Sequence, residues 1–381
     1  MKKKIIYVSF SRLTDRISRD FHIDYLIENG VTVEYWDIVS LVREEHDDAG
    51  MKTETYLHNI KTFKEFESIL SLSENRDALY VMLISCRGRF ARVFRLLSRF
   101  GCRMVKIDAT ATPIIPKSKG KKILYHLFNP LSFLKIIYNN GKVNLYRRIK
   151  LIKPYDIIFA AGSVMMSDNA YAAKVVPINN IDYDHFNRVI SAKERIVKGN
   201  YAVYLDVNIP FHNDHTIMGL PRVDPEIYYQ SLNHFFELLE SFYGIKVVIA
   251  AHPTADYNVE TFKSRETYRL ITAELVKDAD FVISMHSTSN SYAVLNFKPV
   301  IFIYTNEMLS LYKENIMRYI YAFSNYLDSP IYNIDEIAQG KQVIIKDVNI
   351  IFYENYKYKF LTSPESEHTT TQEIFLREIT S

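Results

Sequence analysis

The sequence of 381 residues has little cysteine, which cross-links small secreted folds, and little glycine, which is abundant in many low-complexity chains. Its two cysteines, Cys86 and Cys102, belong to no CxxC pair or Cys/His cluster. A disulfide framework and a structural zinc site are therefore excluded, and a reducing cytoplasm is the expected setting. The 11 glycines are too few for a Gly-rich, disordered chain.

Long apolar runs are also missing. No stretch reaches the roughly 18 to 20 uncharged apolar residues that a transmembrane helix needs. The N-terminal MKKKIIYVSFSRL has only a short apolar run and no small-residue cleavage pattern. This pattern favours a first β-strand over a signal peptide.

Acidic residues are absent from one segment. Between Ala109 and Tyr155 there are ten Lys or Arg and no Asp or Glu, whereas the rest of the chain has 37 basic and 44 acidic residues. Basic residues that alternate with Leu, Ile, Phe and Tyr fit a nucleic-acid surface, an anchor on anionic lipid, or a solvated basic face. No nucleic-acid fold signature accompanies them. We therefore expect residues 113–153 to form a membrane-facing insertion and the protein to lie peripherally on the inner membrane.

The remaining sequence alternates strands and helices, which is typical of an α/β fold with parallel sheets. The first half contains the strand-like stretches KIIYVSF, TVEYWDIV, ALYVMLISC and CRMVKIDA, with helical periodicity over Asp15–Asn29 and Lys61–Leu72. In the second half NYAVYLDV, KVVIAAHP, DFVISMH and PVIFIY alternate with the helical stretches DPEIYYQSLNHFFELLESFY, ETYRLITAELVKDA and STSNSYAVLNF.

Length and pattern together predict two Rossmann-like domains that face a cleft. We place an N-terminal domain at residues 1–190, a C-terminal domain at 200–360 and a polar, partly mobile tail at 361–381. Four polar stretches follow predicted strands, namely SFSRL, LDVNIPFHND, AHPTADY and SMHSTSNSY. Ligands of α/β proteins bind at such carboxyl ends, so these four stretches are the candidate site.

The Ser/Thr-rich loop after the strand DFVISMH contains Ser287, Thr288 and Ser289. Free N–H groups at the start of a following helix bind anions, and the hydroxyls add donors. Plain helix capping explains the same residues equally well. No GxGxxG or GxxxxGK[ST] occurs, which disfavours dinucleotide and P-loop sites.

Two further loops carry candidate catalytic residues. His252 and Pro253 end a strand; the imidazole can donate to a phosphate oxygen, or the pair can be a simple strand-end turn. Asp206 can act as the general base for an acceptor hydroxyl, or can cap its turn. Together with His212 and Asp214 it can also form a divalent-cation site, the least favoured of the three.

The order of a strand-end Asp, then HP, then a Ser/Thr-rich loop resembles bacterial sialyltransferases and related Kdo and nonulosonic-acid transferases of GT-B architecture. The resemblance covers residues 200 to 305, with LDVN where those families have an acidic pair followed by Gly. It implies Asp206 as base, and His252 with Pro253 at the donor phosphate. It also implies that Ser287, Thr288 and Ser289 hold the nucleotide.

The architecture further implies that the N-terminal domain binds the acceptor, through Ser9, Ser11 and Arg12. Arg87 and Arg89 are weaker candidates of the same kind. We expect an inverting glycosyltransferase for bacterial surface polysaccharide or lipid-linked glycan that uses a CMP-linked 2-keto acid sugar, with no metal and no cofactor besides the nucleotide sugar.

Three alternatives stay open within the enzyme class: a UDP-sugar-dependent transferase, a sugar-nucleotide epimerase and a CDP-alditol phosphotransferase. A non-catalytic glycan-binding protein is the alternative outside it. An epimerase needs no membrane patch, and a phosphotransferase differs from a glycosyltransferase in the mass of its product.

Overall fold

A computed structural model describes residues 4–41, 52–116, 141–167, 171–191, 194–212, 215, 219–337 and 343–380. Within these ranges the chain forms two compact units, each built on its own parallel sheet. The first unit contains the described residues up to Ala109, those from 141 to Asn179, and those from Ser363 onwards. The second contains residues 110–116 and Asn180–Thr362.

The strands are β1 (Lys4–Ser9), β2 (Thr32–Asp37), β3 (Leu57–Asn59), β4 (Leu79–Met82), β5 (Arg103–Asp108), β6 (Tyr155–Ala161), β7 (Ala172–Ile178), β8 (Tyr201–Leu205), β9 (Lys246–Ala251), β10 (Thr267–Arg269), β11 (Phe281–Ser284), β12 (Val300–Tyr304) and β13 (Ile331–Asn333). The α-helices are α1 (Asp15–Asp20), α2 (Ile23–Glu28), α3 (Phe63–Leu70), α4 (Ser73–Arg76), α5 (Ala91–Arg99), α6 (residues 141–148), α7 (Gly162–Ser167), α8 (Ile181–Val189), α9 (Pro225–Tyr243), α10 (Thr272–Asp278), α11 (Asn290–Leu295), α12 (Asn306–Tyr312), α13 (Ile316–Leu327), α14 (Ile334–Ile337), α15 (Ile350–Tyr356) and α16 (Thr371–Thr380). Short 3₁₀ helices occur at Val39–Leu41, Gly88–Phe90 and Ile209–Phe211, and Lys357–Leu361 is π-helical.

Both sheets are doubly wound. The first has the order β3-β2-β1-β4-β5-β6-β7 and the second β10-β9-β8-β11-β12-β13, and every strand pair is parallel. In the first sheet, consecutive strands are added outwards from β1 on one side and outwards from β4 on the other, so the strand order reverses between β1 and β4. In the second sheet the strand order reverses in the same way between β8 and β11. Such reversals open a crevice at the carboxyl ends of the strands. The two parallel sheets confirm the predicted α/β fold class.

Aromatic side chains fill the core of the first unit. Trp36 is fully buried and meets Phe66 and Tyr80 edge to face, with ring centroids 5.5 and 5.6 Å apart. Such tilted pairs add to the area that each ring removes from water. Cys86 and Cys102 are buried thiols without a disulfide, and burial raises the pKa of Cys102 to about 11.

The helix α9 shows why the sequence pattern predicted it well. The Asp224 carboxylate accepts from the backbone N–H groups of Glu226 (2.9 Å) and Ile227 (3.1 Å), and Pro225 occupies the first turn. Gly244 ends the helix with φ of 63°, a left-handed conformation that costs a residue with a Cβ atom about 1–2 kcal/mol.

Three predicted helices are wrong in their bounds. The stretch ETYRLITAELVKDA forms β10 and then α10, because Thr267–Arg269 pairs with the end of β9. Asp15–Asn29 breaks into α1 and α2 at His22, whose φ is 61°. The helix after the Ser/Thr-rich loop has only six residues, from Asn290.

The C-terminal segment is ordered where a polar tail was expected. Helix α16 buries Ile374, Phe375 and Ile379 in the first unit. The Thr371 hydroxyl at its start accepts from the Asn179 backbone N–H at 3.1 Å. Of the basic segment, residues 117–140 lie outside the described residues. In the described ranges no helix has both the length and the apolarity to cross a membrane.

Gly244→Ala is expected to lower the melting temperature by roughly 2–4 °C, because a Cβ atom at φ 63° costs about 1 kcal/mol. Gly141→Ala is the control: this glycine is helical, its φ is not in the left-handed range, and nothing lies within 4 Å of an added Cβ. It should melt at or above the wild-type temperature in calorimetry. Equal melting of the two variants would contradict this account of Gly244.

Candidate functional site

A pocket of about 460 Å³ lies within the second unit, where β8, β9 and β11 end. This is where the strand order reverses, between β8 and β11, and ligands of doubly wound sheets bind at such reversals. The loops after these strands contribute Val207, His252 and Ser287 to its wall. Three of the four polar stretches predicted from the sequence contribute residues to this pocket, and their role in binding a ligand stays a prediction.

Four imidazoles line this pocket: His212, His215, His252 and His286. The ring of His212 lies 5.3 Å from that of His252 and 6.2 Å from that of His215. Among the described lining residues there is no Asp or Glu. The lining is therefore rich in groups that can bind a phosphate or exchange a proton with a substrate, and Arg318 is the only one of these described lining residues with a fixed charge.

The loop AHPTADY determines which nitrogen of His252 carries the proton. The backbone N–H of Thr254 donates to Nδ1 of His252 at 3.3 Å, and the Thr254 hydroxyl lies 2.9 Å from the same atom. Since Nδ1 accepts, the neutral ring carries its proton on Nε2. His252 can therefore present an Nε2–H donor to a phosphate oxygen, whereas Pro253 beside it is exposed and does not line the pocket.

His286 is the most strongly perturbed of the four histidines. Burial, followed by the nearby His212 and His215, lowers its pKa to about 3. Its Nδ1 finds no hydrogen-bond partner within the described residues. A buried nitrogen without a partner is unusual in a native fold, and here it lines the pocket that a ligand would fill.

The helix N-terminus at the pocket belongs to α13 and not to the helix after the Ser/Thr-rich loop. Asn315 and Ile316, at the start of this 12-residue helix, line the pocket, and the Asn315 side chain makes no capping hydrogen bond. The first-turn N–H groups and the helix dipole therefore favour an anion there.

The Ser/Thr-rich loop reaches the same pocket by its side chains. Ser287 and Thr288 line it, while the Ser287 hydroxyl accepts from the Ser289 backbone N–H at 3.3 Å. Ser289 itself is not part of the wall. Behind the loop, Asp182 of α8 accepts from the hydroxyls of Ser291 (2.5 Å) and Tyr292 (3.1 Å), which fixes the start of α11.

Arg318 supplies the cation of the pocket. It follows Ile316 in the first turn of α13, and its guanidinium donates to the backbone carbonyl of Ile115. The Ile115 N–H in turn donates to the Arg318 carbonyl at 3.4 Å. This exchange holds residues 110–116 against α13, so that Thr112 and Ile114 complete the wall.

Asp206, predicted as the general base, is 5% exposed and is not part of the pocket wall. Its carboxylate accepts from the backbone N–H of Asn208 (2.9 Å), the backbone N–H of His252 (3.0 Å) and the hydroxyl of Tyr257 (2.6 Å). Burial raises the pKa of Asp206, and these three donors oppose the rise. The geometry gives Asp206 a positioning role, since it holds the loops that carry His252 and His212.

The predicted acceptor-binding residues of the first unit have structural partners. The Ser9 hydroxyl is buried and accepts from the Ser11 backbone N–H at 3.1 Å. Arg12 pairs with the buried carboxylate of Asp37 at 2.9 Å and donates to Asn59 at 3.3 Å. Acceptor binding by Ser9, Ser11 and Arg12 stays a prediction.

Several pocket residues were missed from the sequence. His286 directly precedes Ser287 and stood in a stretch already singled out, whereas His215 directly follows the stretch LDVNIPFHND. Arg318 and Asn315 come from a helix that no motif marks. Asp214, proposed as an alternative metal ligand, lies outside the described residues, and no cluster of three or more His, Cys, Asp or Glu suited to a metal occurs among the residues described.

Sequence comparison finds no matching family model and no matching curated protein. Solved structures do resemble the fold. The wall teichoic acid polymerase TagF is 10% identical with a TM-score of 0.52, over 99% of this chain and 89% of that chain. The fold is GT-B.

Two other GT-B structures resemble the chain at a similar level. A histidine-to-asparagine variant of TagF soaked with CDPG is 10% identical with a TM-score of 0.50, over 100% of this chain and 89% of that chain. S. aureus MnaA bound to UDP is 11% identical with a TM-score of 0.48, over 99% of this chain and 95% of that chain, which is too weak to argue from. The likeness to the TagF structures shows the fold alone.

Replacing Asp206 by Ala should lower the melting temperature by roughly 4–8 °C. Two backbone N–H groups and the Tyr257 hydroxyl would lose their acceptor, at a net cost of about 2 kcal/mol. Asp256→Ala, at an exposed position in the loop that carries His252 and Tyr257, is the control and should change melting by less than about 2 °C. An Asp206→Ala protein that melts like the wild type would contradict the anchoring role.

His286→Gln should reduce the loss of stability on acidification. Below pH 6.5 the unfolded state binds a proton at this histidine, whereas the folded state does so only near pH 3. Stability is therefore fully present above pH 6.5 and falls as the pH drops towards 3. Between pH 7 and 5 the variant should lose up to about 2 kcal/mol less than the wild type. Thermal melts at both pH values measure this, with the exposed His234→Gln as control; equal losses would contradict it.

Proposed function

We propose that this chain is a transferase that uses a nucleotide-activated donor, whose phosphates bind in the pocket of the second unit. The observation that carries the proposal is the lining itself: four imidazoles, the hydroxyl residues Ser287 and Thr288, Arg318, and the N-terminus of α13 around about 460 Å³. Every one of these groups can donate a hydrogen bond to an anion. The GT-B fold supports the same conclusion.

The hydrogen-bond donors of the lining favour transfer at phosphorus. Phosphoryl transfer depends on positioning and on electrostatic stabilisation of the transferring group, which imidazole, hydroxyl and guanidinium donors provide. A direct displacement at an anomeric carbon would use a carboxylate base, and Asp206 is buried behind three donors. A neutral imidazole of the cluster is the better base near pH 7.

A CDP-alditol is therefore the donor we favour, ahead of the CMP-linked 2-keto acid sugar. The oxygen of an acceptor hydroxyl would attack the phosphorus that carries the alditol, and the bond from that phosphorus to the oxygen of CMP would break. CMP would leave with the electron pair, stabilised by the Nε2–H of His252 and by Arg318. The hydroxyl proton would pass to a second imidazole, for which His212, 5.3 Å from His252 ring to ring, is placed.

The likeness to TagF supports the preference for a CDP-linked donor over a CMP-linked sugar, since one TagF structure is a histidine variant soaked with CDPG. The acceptor that we propose remains a bacterial surface polysaccharide or lipid-linked glycan. Contact with an anionic membrane through residues 113–153 belongs to this proposal, although residues 117–140 lie outside the described residues. UDP-sugar transfer and epimerisation are the competing reactions.

The donor class can be tested by thermal shift with CDP, CMP, UDP and GDP, because a ligand that binds only the folded state raises the melting temperature. We expect the largest rise with CDP, and a rise at least halved in His252→Ala but intact in the control His234→Ala. Stabilisation by none of the four nucleotides would overturn the proposal. Stabilisation by UDP but not CDP would keep the pocket and replace the donor.

Products separate the competing reactions. With CDP-glycerol and a membrane extract as acceptor source, phosphotransfer releases CMP and adds glycerol phosphate to the acceptor by mass. Glycosyl transfer from UDP-GlcNAc releases UDP, while an epimerase converts that sugar nucleotide to an isomer of equal mass without an acceptor. His252→Ala should reduce CMP release by about 100-fold, and CDP release in place of CMP would exclude transfer at phosphorus.

A further inference from the structure

We propose that a groove in the first unit binds an elongated anion that carries two or more linked phosphate groups. The groove lies between α3, α5 and the end of α6, and we call it the arginine groove. Its volume is about 350 Å³. Its wall contains Arg92, Arg95, Arg99 and Lys150, above the apolar side chains of Leu96 and Leu151. All four basic residues are exposed.

The two central arginines are held in place by aromatic rings. The guanidinium of Arg92 lies over Phe63 at 4.1 Å from the ring centroid, and that of Arg95 lies over Tyr146 at 4.8 Å. Stacking on a ring restrains a guanidinium but uses none of its N–H donors, apart from a 3.4 Å contact of Arg95 with the Tyr146 hydroxyl. The donors are thus oriented before an anion arrives, which lowers the entropy cost of binding it.

The charge of the groove is not neutralised from within. Arg99 pairs with Glu67, the one acidic residue of the wall. Among the described residues no carboxylate forms a salt bridge with Arg92, Arg95 or Lys150. Three positive charges therefore face one concave surface, and each of them can pair with a phosphate oxygen.

Lys150 lies just after helix α6, at a position where glycine is usual. Its φ is 58°, and the N–H groups of Lys150 and Leu151 donate to the carbonyls of Arg147 and Tyr146 at 3.1 and 2.8 Å, which closes α6. The left-handed conformation costs a side-chain-bearing residue about 1–2 kcal/mol. From this position Lys150 lines the groove, as the fourth basic residue of its wall.

The arrangement of the arginines selects an elongated ligand. Positions 92, 95 and 99 are three and four residues apart and therefore share one face of α5. With a rise of about 1.5 Å per residue, they span about 10 Å along the helix. A single phosphate can meet only part of this row, whereas a chain of linked phosphates can meet all of it. The inference does not depend on the reaction proposed for the second unit.

Residue-resolved protection of arginines tests the site directly. The full-length protein is treated with p-hydroxyphenylglyoxal, with and without sodium tripolyphosphate, and peptides are quantified by mass spectrometry. We expect modification of Arg92 and Arg95 to slow at least about fivefold, while the exposed Arg16 and Arg19 of α1 react equally under both conditions. Because each arginine is observed separately, tripolyphosphate bound in the histidine-lined pocket does not confuse the result.

Lys150→Gly is the matched variant, since glycine suits a φ of 58° and the melting temperature should not fall. Tripolyphosphate should protect Arg92 and Arg95 at about tenfold higher concentration in this variant, and the double control Arg16→Gln with Arg19→Gln should behave as the wild type. Equal protection in Lys150→Gly, or no protection in the wild type, would overturn the proposal.

A membrane is the other source of phosphate groups. Vesicles of phosphatidylglycerol and phosphatidylcholine, tested in the same protection experiment, distinguish it from a phosphate chain in solution. Protection by tripolyphosphate, whatever the vesicles do, supports the site as proposed. Protection by vesicles alone would show that the arginine groove binds lipid headgroups, and the ligand that we propose would be wrong.

Discussion

The candidate site depends on one buried carboxylate. Asp206 directly follows β8, and its two oxygens accept from the loop that follows it, from the first residue after β9 and from Tyr257. Without that acceptor, three donors would be left inside the protein, so the loops are fixed relative to the sheet edge. The positions of His252 and His212 follow from this anchor, and so does the left-handed backbone of Asn208.

The pocket that results is unusual in its chemistry. Its described lining combines several imidazoles with hydroxyls, the Arg318 guanidinium and the N-terminus of α13, where the Asn315 side chain makes no capping hydrogen bond. This described lining contains no carboxylate. Imidazoles that lie close together disfavour one another's protonation, which contributes to the depressed pKa of His286. A bound phosphate would favour protonation of these imidazoles, because its negative charge would lie close to them. We therefore expect this pocket to bind an anion.

The two units use positive charge differently. In the second unit a single arginine and polar, titratable groups of the described lining converge on a pocket at the sheet edge. In the first unit, arginines stand in a row along one helix, each restrained by a neighbouring ring or carboxylate. The first arrangement fits a compact group held for chemistry, whereas the second fits a longer anion held without reaction.

The α/β fold class followed from the sequence alone, and three of the polar stretches predicted as a site come together at one pocket. Periodic strands, the Asp224 cap, Pro225 and Gly244 are local signals, and the polar residues after each strand had to meet at one sheet edge because the sheets are parallel. Bounds were missed where tertiary pairing overrode local pattern, as at Thr267–Arg269 beside β9. Only the tertiary structure decided which polar residues line the pocket. Asp206 points inward because it accepts hydrogen bonds from buried donors. Arg318 and the start of α13 reach the pocket from a part of the chain distant in sequence, for which no local motif exists.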